Sequence, residues 1–501
     1  MSRIKYANTI TADDLKAHLT ILAADDMEGR ETGMLGNDKA ADYLIAQLNQ
    51  NGAADKVVNR SSFQSVAFTF SSWKETDIFV NGNRYRHLWD YLNFPNQNEN
   101  KPGIFADEVY FLGYGIDDEK YSDYGKKDMN GKIILINQGE PVNKDSISYI
   151  TGTKEMSDWS TDISKKLSIA KEKGVELVLI VVNDIKTKLG ENRRFLLGPT
   201  TELGDQTNKK LEIANHAYIS TNIAKDIIGD YEKKVIKRRK KITKKGKFKP
   251  LKLEAKFTAN QMISKKVING KNIIGFIEGA DKKDEVVILS AHYDHIGKRG
   301  DEVYNGADDN GSGTTALLEV MQAFAIAKQD SVQPRRSLAF IWMTGEEKGL
   351  LGSKYYSENP IHPIENTVAN INIDMVGRVD KKYMDNSNYV YVIGSDRLSS
   401  DLHKINEMVN NKYTGLTLDY TYNDERDPNR YYYRSDHYNF AKKGIPAIFF
   451  FNGVHDDYHQ ATDTVEKIDF NIMEKRAKHI FQLAWELVNR EERIVVDGEI
   501  K

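Results

Sequence analysis

The chain has 501 residues, 71 Lys and Arg against 73 Asp and Glu, a formal net charge of −2, 40% hydrophobic residues and no cysteine. That length exceeds what one compact core organises and points to two or three domains. The near-neutral charge argues against nucleic acid as the main partner, and the lack of thiols means any metal must be held by nitrogen and oxygen ligands.

The N-terminus, Met1-Ser2-Arg3-Ile4-Lys5-Tyr6-Ala7-Asn8, lacks the apolar stretch of a signal peptide, and no run approaches the ~20 apolar residues that span a bilayer. A cytoplasmic protein and one whose leader has been removed both fit. Residues 12–52 have the apolar spacing of two helices, the first with Thr11 or Asp13 as cap for Leu15, Leu19 and Leu22, the second over 40–48. The charged, turn-rich stretch Asp25-Asp26-Met27-Glu28-Gly29-Arg30-Glu31-Thr32-Gly33 between them reads as a connecting loop, with a loop that reaches the site as the alternative. From about 100 to 257, short strand candidates (108–112, 132–137, 177–182) alternate with Gly- and Asp-bearing turns. No His/Asp/Glu cluster with ligand spacing occurs there, which predicts a second domain without chemistry. Within it, 233–252 carries twelve Lys or Arg, read as the solvated face of a helix and the loop beyond rather than as a polyanion or membrane-surface patch.

From 258 onward, mostly apolar runs at 286–289, 338–342, 371–373 and 447–451 alternate with helix candidates at 314–328, 398–410 and 471–489. Strands buried on both faces read this way, so an α/β fold with a mostly parallel sheet between helix layers is expected.

In such sheets ligands bind beyond the carboxyl ends of the strands. Ala291-His292-Tyr293-Asp294-His295 ends the first of these runs, Thr344-Gly345-Glu346-Glu347 the second and Asn372-Ile373-Asp374 the third. Tyr458-His459 lies a short loop beyond the fourth, and Asn305-Gly306-Ala307-Asp308-Asp309-Asn310-Gly311 precedes a helix. Together they read as a two-metal hydrolase site. Asp308, Glu347, Asp374 and a bridging hydroxide would balance the four positive charges of two Zn²⁺, with His292 and His459 bound as neutral imidazoles. Asp294 is placed to accept the second ring proton of His292, and Glu346 is left over beside the metals, where a general base belongs.

This ordered set resembles the two-zinc exopeptidase family of bacterial leucyl aminopeptidases, aminopeptidase Y and glutamate carboxypeptidase II. The resemblance implies a zinc-dependent aminopeptidase acting on peptides. Asp308 would be the bridging ligand, His292 and Asp374 the ligands of one zinc, Glu347 and His459 those of the other, and Glu346 the base. It implies a cis peptide after the bridging aspartate, at Asp308–Asp309. It further implies a catalytic domain in two parts, 1–90 and 258–495, around a β-rich protease-associated-like insertion at 91–257, whose opening strands resemble 109–116 and 132–135. Secretion or a periplasmic location, with a leader absent from this chain, is implied too.

The stretch Tyr431-Tyr432-Tyr433-Arg434-Ser435-Asp436-His437 resembles the family's Ser-Asp-His segment, which makes Tyr432, Tyr433, Arg434 and Asp436 candidates for the substrate pocket. His295 and His455, beside the ligand candidates, read as structural or outer-layer residues. Three rival readings share the scaffold: a carboxypeptidase or dipeptidase, a glutaminyl-cyclase-like acyl transferase working with one metal, and a receptor-like binding protein that has lost ligands.

Overall fold

The computed structural model describes residues 2–54, 62–196 and 198–499. The chain forms two units, Met1–Ala67 with Ile268–Lys501, and Phe68–Val267. The inserted unit is thus wider than the 91–257 that the family resemblance implied. Strand Phe63–Val80, assigned from sequence to the first domain, pairs with Asn83–Tyr85 (Ile78↔Tyr85) and with Thr200–Leu203 (Phe68↔Leu203). These hydrogen bonds place the strand from Phe68 onward in the insertion.

In the first unit, helix α1 (Ala12–Leu22) starts where the Thr11 hydroxyl accepts the Asp14 N–H, and buries Leu15, Leu19 and Leu22 on one stripe. Helix α2 (Leu35–Gln50) follows. Strand β1 (Leu251–Ile277) enters from the insertion. It is followed by β2 (Lys282–His292), helix α3 (Gly313–Gln329), β3 (Arg336–Met343), β4 (Thr367–Ile373), β5 (Tyr389–Ile393) and α4 (Ser400–Val409). Then come β6 (Thr417–Asp419), β7 (Ala447–Phe451) and α5 (Phe470–Asn489).

The sheet order is β6-β5-β7-β4-β2-β3-β1. Strands β2, β3, β4 and β7 run parallel, while β1 pairs antiparallel with β3 and β5 antiparallel with β7. The side chains of Val287 and Leu289 join the core under α1, α3 and α5. Those of Val286 and Ile288 join a separate cluster with Tyr356 and Phe440 on the opposite face. Alternate residues of one strand thus feed two helix layers, which is why the strands read as unbroken apolar runs. Helix α3 is buried nearly all round and carries little polar surface.

Register sets the site. His292 lies opposite Met343 at the ends of β2 and β3, and Ile373 opposite Phe450 on β4 and β7. Four parallel carboxyl ends therefore finish on one rim. In the second unit, Lys101–Phe111, Ile133–Asn137, Leu177–Val182 and His216–Ser220 form a parallel sheet accompanied by helices Ile163–Glu172, Thr221–Ile228 and Glu232–Lys245. The basic run of 233–252 falls largely on the last of these, which buries only Val235 and Ile242. Among the described residues no helix is long and apolar enough to cross a membrane.

Candidate metal centre

Two groups of ligand-type side chains meet at the rim: His292, Glu346 and Asp374, and beside them His295, Asp309, Glu347 and His459. His292, the last residue of β2, is 1% exposed, and its Nε2 lies 3.3 Å from Asp374 Oδ1, 3.5 Å from Asp309 Oδ1 and 3.9 Å from Glu346 Oε2. His459 Nε2 lies 2.9 Å from Asp309 Oδ2 and 3.1 Å from Glu347 Oε1. Asp309 therefore offers one carboxylate oxygen to each group.

This corrects the sequence reading, which gave the bridging position to Asp308. The Asp308 carboxylate faces the other way and is satisfied by protein: it accepts from Ser312 Oγ (2.9 Å), Gly377 N–H (2.8 Å) and Asn452 Nδ2 (3.1 Å), and lies 3.1 Å from His455 Nε2. The backbone N–H groups of Asp308 and Asp309 both donate to Asp463 Oδ2. The segment bends at Asp309 (φ −101°, ψ 98°) before α3, turning the second aspartate toward the rim. The cis peptide falls correspondingly one residue later, at Asp309–Asn310.

Asp294 does not hold His292 through its carboxylate, as the spacing suggested. His292 Nδ1 lies 3.1 Å from the Asp294 carbonyl oxygen, which can accept its proton, and 3.9 Å from carboxylate Oδ1. The carboxylate instead accepts the backbone N–H groups of Glu346 (3.2 Å) and Glu347 (3.3 Å) and the Thr32 hydroxyl (2.7 Å). It pins the turn after β3 that carries both glutamates. Asp374, just past β4, accepts from Ser435 Oγ (2.6 Å), which in turn accepts from Asn372 Nδ2.

The stretch around Arg30, read as a connector, supports the rim. Arg30 is fully buried and donates to the carbonyls of Leu22, Tyr293, Asn305 and Gly306, tying the loops after β2 and before α3 to the end of α1. The sequence left open that this loop reaches the site but did not single out Arg30, because its partners are main-chain oxygens.

His295, read from sequence as an outer residue, belongs to the second group: Nδ1 lies 3.0 Å from Glu347 Oε1 and 3.8 Å from Asp309 Oδ2. His455 sits behind the cluster on Asp308. Of the pocket candidates, only Arg434 lines the cavity over the groups, together with Met375, Tyr431, Phe449, Phe451, Val454 and Tyr458. Tyr432 and Tyr433 line a separate surface groove with Arg397, whose guanidinium covers the Tyr432 ring at 4.5 Å. Asp436 is completely buried. Burial pushes its carboxyl up to about 7, against the pull of His292.

The donor set suits a divalent cation. Burial disfavours protonated imidazoles, yet Glu347 and Asp309 hold His459 up to about 11. Asp374 and Glu346 likewise hold His292 well above its ordinary value. Burial also opposes ionisation of Glu347, but His459 and His295 bring its carboxyl well below the usual range. Glu346 goes the other way, raised well above it by burial and by Glu347 and Asp374. Buried carboxylates that draw protons onto neighbouring histidines form a site for positive charge, and the mixture of imidazole and carboxylate matches borderline ions such as zinc.

Residues 272–484 match the sequence model of Peptidase family M28. Among curated relatives, a probable leucine aminopeptidase of Trichophyton verrucosum is 32% identical over 212 residues, 41% of this chain and 55% of the relative. Leupeptin-inactivating enzyme 1 of Streptomyces exfoliatus is 31% identical over 211 residues, 42% of each. The chain thus spans about half the length of the curated relatives it matches. An aminopeptidase structure from Aneurinibacillus sp. strain AM-1 superposes with a TM-score of 0.56 at 18% identity, covering 99% of this chain and 98% of that one, a likeness of fold.

Proposed function

We propose, from the match of residues 272–484 to the sequence model of Peptidase family M28, that the protein is a zinc-dependent aminopeptidase that removes N-terminal residues from peptides at a dinuclear site. The observation that carries this reading is the Asp309 carboxylate, with one oxygen 3.5 Å from His292 Nε2 and the other 2.9 Å from His459 Nε2. Two separate ligand groups sharing one carboxylate are the arrangement two adjacent ions require. The names of the curated relatives, leucine aminopeptidases among them, support the polarity of cleavage.

His292 and Asp374 would hold one ion, Glu347 and His459 the other, and Asp309 both. Two divalent cations there would supply Lewis acidity to the scissile carbonyl and acidify a water molecule. Glu346 would accept that water's proton and return it to the departing amine. It lies on the rim with Oε2 3.9 Å from His292 Nε2, farther than either Asp374 or Asp309. Its backbone is fixed by Asp294, so its carboxylate has a defined origin. The walls from Met375, Phe449, Phe451 and Val454 would receive an apolar side chain. The adjoining Glu347 and Asp309 carboxylates would attract the free α-ammonium group, and a blocked amine would lose that attraction.

The test pairs metal content with turnover of Leu-p-nitroanilide and its N-acetyl derivative. Two zinc ions per chain with cleavage of the free amine alone is the expected result. Cleavage of a C-terminal residue instead would replace this reading with carboxypeptidase activity.

A further inference from the structure

His295 stands three residues past His292, and both rings reach the same rim from opposite ends of one turn. It is 0% exposed. Its backbone N–H donates to Arg30 O (3.2 Å), and its ring lies against Gly306, where a Cβ would come within 2.5 Å of His295 Cδ2. Main-chain anchoring and this close approach aim Nδ1 at the second ligand group, and its ring meets that of His459 edge-on at 5.5 Å.

The spacing of the four donors is informative. Four ligands arranged tetrahedrally around zinc at about 2.0–2.1 Å lie about 3.3–3.4 Å from one another. The measured separations are 3.0 Å (His295 Nδ1 to Glu347 Oε1), 3.8 Å (His295 Nδ1 to Asp309 Oδ2), 2.9 Å (His459 Nε2 to Asp309 Oδ2) and 3.1 Å (His459 Nε2 to Glu347 Oε1). These scatter around the edge of such a tetrahedron. Among the described residues the other group has no equivalent fourth ligand once Glu346 is reserved as base: His292 meets Asp374 at 3.3 Å and Asp309 at 3.5 Å.

We infer that His295 is a fourth protein ligand of the Glu347–His459 ion, making that site closed and leaving the exchangeable position to the His292–Asp374 site. This inference rests on the dinuclear reading above and adds an asymmetry to it. A site with four protein donors is of the structural kind, and one with three keeps a place for water or substrate. The two ions should therefore differ in affinity, the closed site filling first and emptying last. His295 Nε2 has no hydrogen-bond partner among the described residues, so packing rather than an outer acceptor orients this ring.

The test is stepwise Co²⁺ and Zn²⁺ titration of the full metal-free chain against a competing chelator, with Co²⁺ absorption reporting coordination number. The wild type should bind two ions with separated dissociation constants, the first in a four-coordinate spectrum. His295→Ala should weaken that first ion by more than about 100-fold, beyond the ~10–100-fold that loss of an outer partner costs, and should leave the second ion within a few-fold. His295→Gln, tested beside it with far-UV circular dichroism, serves if the alanine variant does not fold, and should lose the same site. Two ions in the wild type with a His295 variant weakened less than 100-fold would overturn the inference alone. A single ion in the wild type would overturn the dinuclear reading and the inference with it.

Discussion

Asp308 and Asp309 are consecutive in the chain, yet their carboxylates face opposite ways: Asp308 toward Asn452 and His455, Asp309 toward His292 and His459. One belongs to the scaffold and the other to the ligand set. Substituting each in turn separates the two roles. Asp309→Ala should retain neither ion at wild-type affinity, since both groups lose a donor. Asp308→Asn should still bind two, weakened by no more than ~10–100-fold, the effect of disturbing an outer layer. Metal analysis after dialysis reads both, and a stoichiometry preserved in Asp309→Ala would return the bridging role to another residue.

The adjacent glutamates invite the same treatment. Glu346→Gln keeps the size of the side chain but removes the proton acceptor, so kcat should fall by roughly 10²–10⁴ with two ions still bound. Glu347→Gln removes an anionic donor, and activity should return in part with excess zinc. Steady-state kinetics and metal content on the two variants distinguish base from ligand, and loss of an ion in Glu346→Gln would exchange the assignments.

Metal uptake should release protons. In the metal-free protein His459 is held up to about 11 and His292 well above its ordinary value, so both carry a proton at pH 7, whereas ligands bind as neutral imidazoles. Protons from His459 and His292 should therefore leave as zinc binds at pH 7, and zinc affinity should rise with pH until His459 itself titrates, at about 11. Calorimetric titration in buffers of different ionisation enthalpy measures the number, and an enthalpy independent of buffer would contradict it.

Arg30 should prove structural in effect despite lying near the site. Its guanidinium satisfies four buried carbonyls, and although burial lowers its pKa to about 10 it remains charged at neutral pH. Arg30→Met strands those acceptors and should cost on the order of 3 kcal/mol or more. A urea midpoint equal to that of the wild type would show that water replaces the guanidinium.

The strand ends were legible because each combines an apolar run with a ligand-type residue at its carboxyl end: His292 on β2, Glu346 and Glu347 after β3, Asp374 after β4. The spacing of Leu15, Leu19 and Leu22 likewise gave α1. Three things were not legible. Which of two adjacent aspartates faces the rim depends on the bend at Asp309, a backbone property that residue types do not encode locally. His295 looked redundant beside His292, because only the turn leaving β2 brings two histidines three residues apart to neighbouring positions. The insertion boundary was misplaced because Phe63–Val80 finds its partners at Asn83–Tyr85 and Thr200–Leu203, the latter more than a hundred residues away.

Strand β7 divides its labour by parity. Ile448 and Phe450 sit in the core beneath the long helices, while Phe449 and Phe451 face the cavity above the ligand groups. The two faces therefore belong to different clusters, Phe449 and Phe451 packing with Met375, Tyr391 and Tyr431. Enlarging or trimming residues 449 and 451 would recut the shape offered to an incoming side chain while leaving the load carried by 448 and 450 untouched. Reshaping that side would call for repacking the smaller aromatic cluster around Tyr391 and Tyr431, and not the core that keeps the rim in register.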